Sequence, residues 1–134
     1  LLIFLLLNVN LYSVTQEELK KRTKQFAVDI IRFVKKLPQG PDKWYSGDQL
    51  YRCGTAVGAN YRAACRSKTK PTFIHKMGIV EEEADESCYW LEILAEENLG
   101  DAQERGRLLK EASELTAIFT AANKSMNDRT VYKK

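Results

Sequence analysis

Two groups of charged side chains stand close enough along this chain to do chemistry. Glu81, Glu82, Glu83, Asp85, Glu86 and Glu92 form a dense run of carboxylates. Such a run could hold a divalent metal or divide the acid and base roles of a hydrolytic pair. Arg52, Arg62 and Arg66, followed by Lys68 and Lys70, form the opposite kind of group. Guanidinium groups aligned on one helical face can grip phosphates or carboxylates. Lys20, Lys21 and Lys24 add a second basic cluster upstream.

The acidic run does not assemble into a metal centre. A di-iron bundle needs inward carboxylates plus Glu-x-x-His motifs on two helices, and the chain has a single histidine, His75, with no carboxylate at that spacing. On a helical wheel Glu82, Asp85 and Glu86 point away from the apolar stripe of their helix, so they are read as a solvated or subunit-interface surface. The three cysteines, Cys53, Cys65 and Cys88, form no CxxC pair. They read as reduced thiols packed as small apolar side chains in a cytoplasmic protein. No glycine-rich phosphate loop follows a strand, and one histidine gives no supported Ser/His/Asp set. The expectation is a protein that is not an enzyme, with no cofactor and no metal.

The elements that position these residues are helices. At 134 residues, 44% apolar and 29% charged, with three prolines and seven glycines, the chain suits one soluble domain with long uninterrupted segments. Leu1 to Val14 carries no charge, and its seven-residue apolar run is far short of the roughly 20 residues that span a bilayer. No membrane association is expected. The segment reads as a truncated signal, an extra element, or sequence upstream of the true start. The clean helix opening at Thr15 favours the last, so residues 15–128 are taken as the domain and 129–134 as a basic tail.

Thr15-Gln-Glu-Glu18 is a capping box, and Leu19, Phe26, Ala27, Ile30, Phe33, Val34 and Leu37 then recur at helical period. Leu37-Pro38-Gln39-Gly40-Pro41 ends this helix, and a loop through Trp44 is expected. A second helix starts near Ser46 or Asp48 and runs to about Arg66, with Leu50, Cys53, Val57, Tyr61 and Ala64 inward. Gly54 and Gly58 lie near that apolar face, which implies that another backbone approaches there. Thr69 or Lys70 opens a third helix whose stripe is Phe73, Met77, Val80, Ala84, Cys88, Leu91 and Ala95. Gly100 is its expected C-cap. Asp101 caps a fourth helix with the core line Leu108, Ala112, Leu115, Ile118 or Phe119, Ala122 and Met126. The fold class is all-α: an antiparallel up-down-up-down four-helix bundle.

Charge is unevenly divided. Residues 15–70 hold 13 Lys and Arg against 5 Asp and Glu, whereas residues 71–134 hold 8 against 13. Either the halves pair electrostatically, or a basic face meets an anionic partner, or both faces are simply solvated. The leading expectation is nucleic-acid contact through Lys20, Lys21, Lys24, Arg52, Arg62, Arg66, Lys68 and Lys70, with Tyr61 or Trp44 available for stacking. The rival is a protein scaffold in which these arginines pair with Glu82, Asp85 and Glu86 within the subunit or across a boundary.

Gln49-Leu50-Tyr51-Arg52-Cys53 followed by Val57-Gly58-Ala59-Asn60, after a helix ending in Leu37-Pro38, resembles the four-helix-bundle family of 23S rRNA intervening-sequence (S23) proteins. Phe73-Ile74 and Ala84-Asp85-Glu86-Ser87 are similar to that family's third helix. Cys53 and Thr55 depart from its small hydroxyl residues, as does Tyr61-Arg62 after the asparagine. The resemblance implies a homopentamer of antiparallel bundles with a basic surface and no agreed biochemical activity. A related member, the accessory protein of diversity-generating retroelements, works with a reverse transcriptase and binds nucleic acid. The resemblance therefore implies RNA or DNA, further copies of the chain and a reverse transcriptase as partners.

Overall fold

The computed structural model describes residues 14–132, with side chains through residue 127. The apolar segment preceding Val14 lies outside the described residues. Among the described residues, four α-helices make the fold: α1 (Gln16–Lys35), α2 (Asp48–Cys65), α3 (Lys70–Glu96) and α4 (Ala102–Tyr132). No strand occurs among the described residues. Helix α1 packs mainly on α2, α2 on α3, and α3 on α4, while α1 and α4 close the bundle with a lighter contact.

Local chemistry sets the helix ends. The Thr15 hydroxyl accepts the Glu18 N–H at 3.1 Å, and the Glu18 carboxylate accepts the Thr15 N–H at 3.2 Å, completing the capping box. Val14, just before the cap, is half-buried against the core. Thr69 caps α3 by accepting the Thr72 N–H at 3.2 Å, with Pro71 in the first turn where no N–H is needed. Asp101 caps α4 through its carboxylate, which accepts the Glu104 N–H at 2.9 Å.

Two expected boundaries shift. The segment through Trp44 is not a loop: Lys43–Gly47 is a π-helical turn running directly into α2. Pro41 permits this because proline is favoured at the start of a helix as much as after the end of one. The wider turn buries Ser46 and Gly47 against the end of α1, where a Cβ on Gly47 would lie 3.2 Å from Leu37 Cδ1. At the end of α3, Asn98 rather than Gly100 terminates the helix. Asn98 adopts φ 55°, its N–H reaches Ala95 O at 3.0 Å, and Leu99 N–H reaches Leu94 O at 2.9 Å. This is a Schellman motif, with Asn tolerating the left-handed position. Gly100 has a different task. At φ 81° it lies under the Phe33 ring, where a Cβ would fall 2.5 Å from Cζ.

The core contains the expected stripes with small revisions. Thr23 is fully buried on α1, its hydroxyl satisfied by Leu19 O at 2.7 Å, and Ala27 is only half-buried. On α3, Leu94 is buried and Ala95 exposed. Both Ile118 and Phe119 enter the core from α4. Leu50, Leu91, Leu94, Leu108 and Leu115 are each at most 1% exposed, and full burial of such a side chain stabilises by roughly 1.5–3 kcal/mol. A surface ion pair contributes about 0–1 kcal/mol, so the apolar stripes decide the fold and the charges refine it. The refinement falls between α1 and α4. Arg22 holds Glu111 in a bidentate pair at 2.8 and 2.7 Å and reaches Glu114 at 3.7 Å, while Arg107 meets Asp29 at 3.3 Å. Helix α4 continues to Tyr132, so the start of the basic tail is helical.

Candidate functional site

Four of the basic side chains singled out from sequence line one groove. Lys20, Lys21 and Lys24 on α1 and Arg62 on α2 flank a cavity of about 420 Å³ whose remaining lining is Glu17, Ala27, Thr55, Gly58 and Ala59. Helical geometry explains the convergence. Lys20 and Lys24 are one turn apart on α1, and Thr55, Ala59 and Arg62 follow one another along one face of α2. Gly58 lets the two backbones close at the groove's base, because a Cβ there would lie 3.1 Å from the Thr23 carbonyl carbon and oxygen.

The charges at this groove are only partly neutralised. Lys20 reaches Glu17 at 3.3 Å. Lys21, Lys24 and Arg62 are exposed and have no ion pair among the described residues. The remaining candidates, Arg52, Arg66, Lys68 and Lys70, are exposed but lie outside the groove, on α2, at its end, on the turn to α3 and at the first residue of α3. Arg52 stands close enough to α3 to act on Glu83. Partial burial, then Glu86 and Glu82, hold the Glu83 carboxyl above its ordinary range, and Arg52 opposes them. Within the subunit, no arginine of the α2 stripe forms an ion pair with the acidic run among the described residues.

Neither ring expected to stack lines the groove. Tyr61 is fully buried, tilted against Phe119 with ring centroids 5.4 Å apart, and burial pushes its phenol far above the usual range. Its place on the Leu50–Val57 face was the decisive signal, since a core face leaves no ring for a ligand. Trp44 is 67% exposed but sits on the π-turn, away from the groove lining. Tyr51, 40% exposed, lies one turn before Thr55 on the face that continues to Arg62. It lies outside the groove lining.

Of the acidic residues, Glu82, Asp85 and Glu86 are exposed, as the wheel places them. Glu81 is not a free surface carboxylate. It accepts from Asn123 Nδ2 at 2.7 Å and Thr120 Oγ1 at 3.0 Å, clasping α3 to α4, while Asn123 also donates to Met77 O at 2.9 Å. No group of three or more His, Cys, Asp or Glu residues is arranged to hold a metal among the described residues. The Cys53 thiol is buried beside Ser87, and burial pushes it up to about 11, so it is packed rather than activated. No helix among the described residues is long and apolar enough to cross a membrane.

An all-α bundle with a basic groove between its first two helices is thus the class of molecule the geometry defines. Residues 15–121 match the family model of the 23S rRNA-intervening sequence proteins, beginning at the capping residue Thr15, and the chain belongs to that family. Among solved structures, it is similar to a protein of unknown function from the S23 ribosomal protein family of Bacteroides thetaiotaomicron VPI-5482. The TM-score is 0.73 at 28% sequence identity, covering 81% of this chain and 97% of that one. No curated protein matches the chain.

Proposed function

We propose that this chain is a non-enzymatic bundle that binds structured RNA through the groove between α1 and α2. The observation that carries the reading is the convergence of Lys20, Lys21, Lys24 and Arg62 on one groove, three of them without an ion pair among the described residues. Cations held at helical spacing beside a low-dielectric wall of Ala27, Gly58 and Ala59 suit successive backbone phosphates. Tyr51 adds a ring on which an unpaired base can stack. The family's description as a 23S rRNA-intervening sequence protein makes ribosomal RNA the first ligand to test.

In this reading the helices run up-down-up-down and antiparallel, and five copies assemble into a ring that repeats the groove. The assembly works in the cytoplasm, and a reverse transcriptase is a further candidate partner. Lysine acylation in the presence of a structured ribosomal RNA fragment tests the ligand assignment residue by residue. Lys21 and Lys24 are expected to be protected more strongly than Lys68 and Lys70. Equal labelling of all four with and without RNA would sink the proposal.

The alternative is a scaffold in which the exposed Arg62 and Arg66 pair with Glu82, Asp85 and Glu86 of another copy. Its supporting observation is that these charges are exposed and have no ion pair within the chain among the described residues. Under that reading Arg62→Glu breaks the assembly, seen by size-exclusion chromatography. Under the nucleic-acid reading it leaves assembly intact and weakens RNA binding.

A further inference from the structure

Where the π-turn meets α3 lies an exposed aromatic cluster that the RNA reading does not use. Tyr45 of the π-turn packs edge-on to Trp90 of α3 with centroids 5.7 Å apart at 80°, and Tyr89 does the same from the next position at 5.0 Å and 83°. Tyr45 is 63% exposed and Tyr89 53%, so both rings keep open faces. The indole N–H of Trp90 donates to Glu86 at 3.3 Å, which orients the indole and sets a carboxylate at the edge of the cluster. Two rings standing nearly perpendicular to a third, with a carboxylate beside them, offer quadrupole faces and negative charge to one incoming cation.

The surroundings favour the same occupant. Between Lys76 and Arg105 the chain has no Lys or Arg, while Glu82, Asp85, Glu86, Glu92 and Glu96 are exposed along α3. The large hydrophobic side chains exposed among the described residues are all aromatic, with no Leu, Ile, Phe or Met among them. Aromatic faces ringed by carboxylates complement guanidinium and ammonium groups.

We propose that the Tyr45–Tyr89–Trp90 face docks an arginine- or lysine-rich segment of a partner protein, with cationic side chains against the rings and Glu86 and its neighbours balancing the charge. Docking there would leave the basic groove open, because the two surfaces share no residue.

The test uses the full chain and an arginine nonapeptide as probe, read by the emission of Trp44 and Trp90. Saturable quenching that weakens with salt is expected, while a glutamate nonapeptide gives none. Replacing both exposed rings (Tyr45→Ser with Tyr89→Ser) is expected to weaken the peptide by about tenfold, with the far-UV circular dichroism unchanged. Glu86→Gln should lower the salt dependence while retaining saturable binding. Three results would overturn the proposal: no binding of the arginine peptide, equal binding by the double-serine variant, or tryptophan emission that changes on dilution of the protein alone and shows the face occupied by a second copy.

Discussion

The Cβ that Gly58 lacks would fall 3.1 Å from the backbone carbonyl of Thr23, so α1 and α2 meet backbone to backbone at the base of the basic groove. Glycine ordinarily weakens a helix interior by roughly 0.5–1 kcal/mol relative to alanine. Here the opposing atoms belong to a helix backbone and cannot swing aside. Gly58→Ala is therefore expected to give no gain in stability, and Gly58→Val to cost on the order of 1–3 kcal/mol by overpacking. Gly106, with nothing within 4 Å of its hypothetical Cβ, supplies the contrast: Gly106→Ala should stabilise by about 0.5–1 kcal/mol. Urea denaturation of the three variants checks both signs. A gain at Gly58 equal to that at Gly106 would refute the close approach.

The α1–α4 seam makes a separate prediction. Arg22 and Glu111 form a bidentate pair with side chains 31% and 25% exposed. Such a half-exposed pair should show a coupling energy of about 1 kcal/mol in a double-mutant cycle of Arg22→Met and Glu111→Gln. The coupling should shrink in high salt. A value near zero at low salt would mean that the seam is held by packing alone.

Thiol chemistry distinguishes packed cysteines from accessible ones. Cys53 and Cys88 are buried and Cys65 is half-buried. With the Cys53 thiol pushed up to about 11 by burial, a maleimide at neutral pH is expected to label Cys65 first and Cys53 only on unfolding. Intact-mass analysis over time reads the order directly, and early modification of Cys53 would contradict the buried placement.

Glu83 gives the pH dependence. Its folded-state carboxyl titrates above the ordinary value, first because of burial and then because of Glu86 and Glu82. A raised carboxylate binds more protons folded than unfolded, so its contribution falls as pH rises through the window just above the usual carboxylate range. Glu83→Gln is expected to raise the midpoint of thermal unfolding at neutral pH, with the difference vanishing in acid below the unfolded carboxylate value. A variant that is less stable at neutral pH would show instead that Arg52 dominates the site.

Much of the fold was legible because periodic apolar stripes and caps are local signals. Thr15–Glu18, Asp101 and the Gly54–Gly58 pair each state their own reason in sequence. The misreadings arose where one residue type serves two purposes. Pro41 can end one helix or start the next, and only the packing of Ser46 and Gly47 against α1 decides for the second. Gly100 suits a C-cap, but its position under Phe33 is a tertiary demand that no local pattern announces. At the site, the groove partners of Arg62 were not legible, because helix α1's rotation against α2 is fixed by Ile30 packing on Gly54 and by Thr23 on Gly58. Glu81 looked like its neighbours until Asn123, 42 residues later, came to meet it.

The central claim is that phosphates lie along Lys21, Lys24 and Arg62. The most direct measurement is the salt dependence of binding to a structured ribosomal RNA fragment, for the native chain and for Lys21→Ala with Lys24→Ala and Arg62→Ala. Each lost phosphate contact should reduce the slope of log K against log salt by about 1, so the triple variant is expected to lose roughly three units of slope along with most of its low-salt affinity. An unchanged slope in the triple variant, or no binding by the native chain at low ionic strength, would contradict the account.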